Sequence, residues 1–182
     1  AIYALLTIFL APISSGLIQC RVAEALCVLP YFTFAAVPGL FVGCLAANLL
    51  TGAPVWDVVF GSLATLLAAY LTYSMRKRVS KYLAPLPCVL VNAVVVGLLL
   101  VYAYGVPVSV PVAAAYVAVG EAIACYGLGL PLLLVLEKFR ERCPSEIDKL
   151  GAALAEDNLA AVASQAHLIK GLAGNLAAKR LV

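Results

Sequence analysis

The chain has 182 residues, of which 65% are hydrophobic and only 12% are charged, with a net charge of +3. Its mean hydropathy of +1.07 lies far above that of soluble globular domains, in which about half of the residues are apolar. This composition excludes an ordinary soluble domain and predicts an all-α, polytopic membrane protein. The length fits one membrane domain with a short appendage.

Six apolar segments are predicted in chain order. The first, residues 1–17, is slightly short for a hydrocarbon core of about 30 Å, so we expect the sequence to begin inside this helix. Residues 22–36 and 37–50 are shorter still and are divided by Pro38 and Gly39. They form either two short tilted helices or one kinked span; we favour two, which makes six spans rather than five. The remaining spans are predicted at residues 57–73, 86–104 and 110–136.

Charged residues are rare in the first 75 positions, where only Arg21, Glu24 and Asp57 occur. Ionisable side chains beside lipid-facing sequence are costly, and they typically mark a functional site inside a protein-lined cavity. Short segments interrupted by proline or glycine are also typical of transporter binding sites. Residues 19–61 are therefore predicted to hold the binding site of a membrane transport protein.

Basic residues indicate the orientation. The loop at 76–81 and the stretch at 138–142 carry seven of the eight basic residues before Cys143, so both are predicted to be cytoplasmic. With six spans, both termini are then cytoplasmic, and the loops at 19–24, 51–57 and 104–110 face outside. The residues expected to converge on the outer face are Gln19, Arg21, Glu24, Asn48, Trp56 and Asp57.

Each polar residue allows an alternative. Arg21 and Glu24 either form an ion pair at the membrane surface or present donors and acceptors to a polar, planar ligand. Glu121, near mid-depth of the last span, is protonated, paired or in contact with ligand. Asn92 either bonds a neighbouring helix or binds ligand, and Asp57 caps a helix or binds ligand. The predicted substrate-binding set is Gln19, Arg21, Glu24, Asn48, Asp57, Asn92 and Glu121.

The six cysteines form no Cys-x-x-Cys pair, so they are predicted to be small buried hydrophobes, with no metal site and no disulfide framework. Enzyme motifs for phosphate binding or a nucleophile elbow are absent, and no catalytic activity, cofactor or nucleic-acid partner is predicted. Gly39, Gly43 and Ala47 recur at four-residue spacing, which is typical of closely packed membrane helices. We expect one such face to dock a partner membrane subunit.

Several motifs follow one another in order: Gln19-Cys20-Arg21-Val22-Ala23-Glu24-Ala25-Leu26, Leu29-Pro30-Tyr31-Phe32, Val37-Pro38-Gly39-Leu40, Asp57-Val58-Val59-Phe60-Gly61, and Gly120-Glu121. In these motifs, over about residues 1 to 140, the chain resembles the QueT family of queuosine-precursor transporters. The resemblance implies a six-helix membrane bundle that acts as the substrate-binding S component of an energy-coupling-factor (ECF) transporter.

The resemblance further implies a 7-deazaguanine-type substrate, a transmembrane coupling subunit and two cytoplasmic ATPases as partners. A vitamin transporter of the same architecture is the alternative, because the fold does not determine the substrate. Ala23 departs from the family, which usually has Ser there, and this puts a hydroxyl contact in doubt. The first helix, whose small-residue face should contact the coupling subunit, is represented by Ala1 and Ala4.

Residues 143–182 are predicted to form an amphipathic, cytoplasmic helical tail after the membrane domain at 1–142. The stretch His167-Leu168-Ile169-Lys170-Gly171 resembles the phospho-accepting helix of histidine phosphotransfer (Hpt) domains. That resemblance implies that His167 accepts phosphate, that Lys170 balances its charge and that Gly171 leaves room for a partner. The alternatives are a silent helical hairpin or a fusion of two reading frames. A membrane-anchored signalling protein is therefore a second functional hypothesis.

Overall fold

The computed structural model describes residues 2–10, 21–156 and 158–178. Every regular element in these ranges is a helix, as the all-α prediction requires. The contacts divide the chain into two compact units, residues 1–132 and 133–182. The α-helices are α1 (Ile2–Phe9), α2 (Ala36–Leu50), α3 (Ser62–Met75), α4 (Leu86–Tyr102), α5 (Val110–Ala122), α6 (Leu130–Ala155) and α7 (Leu159–Ala178). Two 3-10 helices lie at Val22–Tyr31 and Lys81–Leu83, and two π-helical segments lie at Asp57–Gly61 and Ile123–Gly129.

Three helical runs within the described ranges are long and apolar enough to cross a membrane, namely Asp57–Met75, Lys81–Tyr102 and Val110–Ala155. They cover the last three predicted spans, except that the second run ends at Tyr102, two residues before the predicted bound. The 3-10 helix at Val22–Tyr31 and helix α2 are apolar but shorter. The six-span bundle therefore stays a prediction, and residues 1 and 11–17 of its first span lie outside the described ranges.

Residues 22–50 form two separate helices rather than one kinked helix. The first is a 3-10 helix of ten residues, with Pro30 near its end. Its length of about 20 Å, at about 2.0 Å per residue, and the similar length of α2 are both below the hydrocarbon thickness. In a 3-10 helix the side chains at i and i+3 eclipse, so Glu24 and Cys27 lie one above the other.

The two π-helical segments adjoin residues that the sequence indicates as functional. Asp57 begins the first, and the second, Ile123–Gly129, begins two residues after Glu121. Such segments are rare and occur often at functional sites. Gly129, the last residue of the second segment, packs against the Val22–Tyr31 helix. A Cβ atom on Gly129 would lie 3.0 Å from the carbonyl oxygen of Ala25. The absent side chain lets the two backbones approach.

Helices α1 and α2 pack through small residues, which corrects part of the docking prediction. A Cβ atom on Gly43 would lie 2.9 Å from the Cβ atom of Tyr3. Gly43 and Ala47 are buried within this chain, as is Ala4, so they are covered rather than available to a partner. Gly39 is exposed, with no other atom within 4 Å of its Cβ position. Ala1 lies outside the described residues.

The second unit consists mainly of α6 and α7. Helix α6 continues through Pro144 to Ala155, so the predicted boundary between residues 142 and 143 falls inside a helix. Asn158 precedes α7, and its side-chain oxygen accepts a hydrogen bond from the backbone N–H of Ala161 at 3.1 Å. This is the arrangement of a helix N-cap, and it explains where α7 begins.

The close approach of α4 and α5 generates a stability prediction. A Cβ atom on Gly97 would lie 2.9 Å from Cα of Ala114, which is a backbone atom that cannot rotate away. We expect Gly97→Ala to destabilise the protein by about 1–3 kcal/mol, the usual cost of overpacking. Thermal unfolding in detergent measures this change.

Gly39→Ala is the matched control, because it places the same methyl group in open space on a helix. It should leave the unfolding midpoint unchanged or raise it, since alanine favours a helix. Equal midpoints for the two variants would contradict the close approach of α4 and α5.

Candidate functional site

Four polar side chains of the predicted binding set are buried inside the first unit. Glu24 is 1% exposed, Asn48 3%, Glu121 3% and Asn92 4%. They come from four different elements, because Glu24 lies on the 3-10 helix, Asn48 on α2, Asn92 on α4 and Glu121 on α5. Buried polar groups need internal partners. The contacts of each residue therefore indicate what the site can bind.

Glu24 has the most partners. Its Oε1 accepts a hydrogen bond from the Tyr3 hydroxyl at 2.5 Å, and its Oε2 accepts hydrogen bonds from the Cys27 thiol at 2.8 Å and the Cys88 thiol at 3.2 Å. The thiol of Cys125 lies 3.6 Å from the backbone oxygen of the same residue. Glu24 is thus held in place by α1, by α4 and by its own helix, and does not form the surface ion pair with Arg21 considered from the sequence.

Glu121 and Asn92 lie beside this group. The Cys125 thiol is 3.8 Å from Oε2 of Glu121, and the side chain of Asn92 adjoins the same carboxyl group. The Asn92 amide also lies 3.7 Å from the sulfur of Cys88, one turn earlier on α4. The carboxyl groups of Glu24 and Glu121 are close enough to interact electrostatically. Two acidic groups therefore share one buried environment.

Asn48 and Asp57 connect the buried polar side chains to one end of the bundle. The Asn48 amide donates to the backbone oxygen of Asp57 at 3.0 Å, and the Asp57 carboxylate accepts from the Tyr104 hydroxyl at 2.8 Å. Desolvation, this hydrogen bond and the charge of Asp57 raise the pKa of Tyr104 to about 12, so the phenol keeps its proton at neutral pH. Asp57 thus links the loops predicted at 51–57 and 104–110.

Arg21 supplies positive charge to both regions. Its side chain is half-buried, and its guanidinium interacts electrostatically with Glu24 and with Asp57. The same charge acts on Glu121. Arg21 therefore lies within electrostatic range of three carboxyl groups. Gln19, the remaining member of the predicted set, lies outside the described residues.

Trp56 does not join the polar group, contrary to the expectation that it would converge there. It is 54% exposed and stacks on Phe60, with ring centroids 6.0 Å apart. The two rings border an open groove of about 540 Å³. The residues that line this groove are Trp56, Phe60, Val95, Leu98, Leu99, Tyr102 and Ala103.

The cysteines are the functional candidates that sequence reasoning missed. Cys27, Cys44, Cys88 and Cys125 are buried, as predicted, but their sulfurs contact the polar side chains. The missed signal is a spacing of one helical turn between each cysteine and a polar residue. The pairs are Glu24 and Cys27, Cys44 and Asn48, Cys88 and Asn92, and Glu121 and Cys125. Tyr3 and Tyr104 were also missed, because nothing in their local sequence distinguishes them from other aromatic residues of the bundle.

The second unit presents the predicted phospho-acceptor on its surface. His167 lies within α7 and is exposed, and so are Lys170 and Gly171. No other atom lies within 4 Å of the Cβ position at Gly171. The imidazole is therefore accessible within this unit.

Comparison with known families yields two matches. The model of the QueT transporter family matches residues 1–138, and the model of the Hpt domain matches residues 134–182. Both resemblances inferred from the motifs are thereby confirmed. No curated protein and no solved structure matches the chain.

The contacts of Glu24 generate a second stability prediction. Glu24→Gln retains the shape of the side chain but replaces one acceptor oxygen by an NH₂ group among its donors. We expect a loss of about 1–3 kcal/mol in unfolding free energy, the usual cost of an unsatisfied buried group, measured by thermal unfolding in detergent. Glu156→Gln, at an exposed position, is the control. The prediction fails if both variants unfold at the wild-type temperature.

Proposed function

The chain belongs to the QueT transporter family, and from this premise we propose that its membrane unit captures a queuosine precursor of the 7-deazaguanine type. The observation that carries the proposal is the burial of Glu24, Asn48, Asn92 and Glu121, from four separate elements, around one interior. Such a set supplies both hydrogen-bond donors and acceptors. A planar, polar nucleobase needs both kinds of group at its edges.

Glu121 is the better candidate for pairing with the amidine-like edge of the base. Glu24 already accepts hydrogen bonds from Tyr3, Cys27 and Cys88, whereas the one thiol contact of Glu121 is long, at 3.8 Å. A carboxylate can accept two N–H groups side by side. The amides of Asn48 and Asn92 would then bind the remaining polar edge.

We further propose that substrate enters at the end of the bundle where Asp57, Tyr104 and Arg21 lie. The loops at 51–57 and 104–110 meet there through the Tyr104–Asp57 hydrogen bond. The basic cluster at residues 76–81 follows α3 on the opposite side of the span, and the positive-inside rule assigns it to the cytoplasm. Both termini of a six-span chain in the cell membrane are then cytoplasmic.

The proposed partners are those that the family resemblance implies, a transmembrane coupling subunit and two cytoplasmic ATPases. The described residues carry no phosphate-binding loop of their own, so energy would come from such partners. Within the predicted docking set, Gly39 is exposed and remains a candidate contact. The role is therefore transport rather than catalysis.

Direct binding to the purified chain tests the substrate proposal. We expect 7-deazaguanine derivatives to bind and Glu121→Gln to weaken binding by about 10- to 100-fold, because a hydrogen bond to a charged group is lost. Arg21→Gln should also weaken binding, through the loss of positive charge near the site. Isothermal titration calorimetry in detergent measures both effects.

Glu141→Gln, at an exposed position on α6, is the matched control and should bind as the wild type does. Unchanged affinity in Glu121→Gln and Arg21→Gln would remove these residues from the site. Binding of a vitamin instead of any deazaguanine would favour the alternative transporter of the same architecture.

A second candidate function concerns residues 143–182, which we propose act as a phosphotransfer module through His167. The match of the Hpt domain model to residues 134–182 and the exposure of His167 favour it. Lys170, one turn further along α7, would balance the added negative charge.

Incubation of the chain with a phosphorylated response regulator tests this function. We expect label on the wild-type chain and none on His167→Gln, read by acid-labile radiolabel and mass spectrometry. Lys170→Gln should lower the extent of labelling while retaining the acceptor. Absence of label on the wild-type chain would leave the tail as a silent helical segment.

A further inference from the structure

Three thiols and two carboxyl groups meet inside the first unit. One carboxyl oxygen of Glu24 and the sulfurs of Cys27 and Cys88 all lie within 4.8 Å of one another. The sulfurs of Cys88 and Cys125 and a carboxyl oxygen of Glu121 form a second group of the same dimensions. Cys88 belongs to both groups.

The distances between the atoms of the first group fit a single metal ion. Glu24 Oε2 lies 2.8 Å from the sulfur of Cys27 and 3.2 Å from that of Cys88. In a tetrahedral zinc site, with bonds of about 2.0–2.3 Å, neighbouring ligand atoms are about 3.5 Å apart. Small side-chain adjustments therefore suffice for these three ligands, and the thiols of Cys27, Cys88 and Cys125 are fully buried.

We propose that this cluster binds one borderline-soft divalent transition-metal ion, of the Zn²⁺ class, through Cys27, Cys88, Cys125 and the carboxylate of Glu24. Sulfur ligands select such an ion over Mg²⁺ or Ca²⁺, which prefer oxygen. Cys125 is the candidate for the fourth ligand, because its sulfur lies within 4.8 Å of the Cys88 sulfur and 3.6 Å from the backbone oxygen of Glu24, and its thiol would have to move toward Cys27 to complete the tetrahedron. Each thiol that binds the ion releases its proton to solvent.

The surrounding residues orient the ligands. The hydroxyl of Tyr3 holds the second carboxyl oxygen of Glu24, and the amide of Asn92 lies 3.7 Å from the sulfur of Cys88. Outer contacts of this kind fix ligand geometry in metal sites. With three thiolates and the Glu24 carboxylate, the bound ion carries a net charge of −2, and the guanidinium of Arg21, which interacts with Glu24 and Glu121, supplies positive charge nearby.

Cobalt titration of the reduced, metal-free chain in detergent tests the proposal without any transport substrate, so its outcome is independent of the proposed function. We expect one Co²⁺ per chain, with sulfur-to-cobalt charge-transfer bands and the visible bands of tetrahedral Co²⁺. Zn²⁺ should displace it, since it binds such sites more tightly. Cys88→Ser, which removes the ligand that the two groups share, should weaken binding by at least about 100-fold.

Cys44→Ser is the matched control, because Cys44 is 1% exposed and belongs to neither group. It should keep the full cobalt spectrum, as should Cys143→Ser on α6. If Cys88→Ser does not fold, as judged by its thermal unfolding, Cys27→Ser decides the question in its place. Absence of the charge-transfer bands in the wild type, or their persistence in the variant that decides, would overturn the proposal.

Discussion

A carboxyl group enclosed by apolar helices must find its hydrogen-bond partners inside the protein, and Glu24 is the group on which the rest of the structure depends. Leaving such a group without partners costs several kcal/mol. Its oxygens accept from Tyr3 on α1, from Cys27 on its own helix and from Cys88 on α4. The requirement to satisfy one side chain therefore joins three elements, and Cys125 adds a fourth contact through the backbone.

Irregular helices make this arrangement possible. The 3-10 geometry of Val22–Tyr31 aligns Glu24 with Cys27, and Gly129 allows the π-helical segment Ile123–Gly129 to approach the backbone at Ala25. In a regular α-helix, side chains three residues apart share a face but do not eclipse, so the 3-10 geometry brings the two into closer register. Irregular backbone at membrane depth is tolerated where it is buried in protein or lines a cavity. The polar interior and the irregular helices therefore occur in the same part of the unit, and both the substrate and the metal proposals rest on it.

Local sequence was sufficient to single out two of the buried polar residues, for a physical reason. Glu24 and Glu121 stand out because charge is expensive in an apolar chain, and the structure buries both. The cysteines do not stand out, because a thiol is equally compatible with a core position and with a ligand position. Gly43 and Ala47 were misassigned to a partner surface because a small-residue face looks the same whether its neighbour is α1 or another subunit.

The sequence by itself determined the membrane class, the helical content and the family, because hydropathy and motif order are properties of the chain read along its length. Only the tertiary structure decided that Asp57 bonds Tyr104, that Trp56 lies apart, and that Cys27, Cys88 and Cys125 meet beside Glu24. These contacts join residues 47 to 101 positions apart as well as near neighbours. Their geometry depends on how the helices cross and where they leave α-helical form, and periodicity along one helix does not specify either.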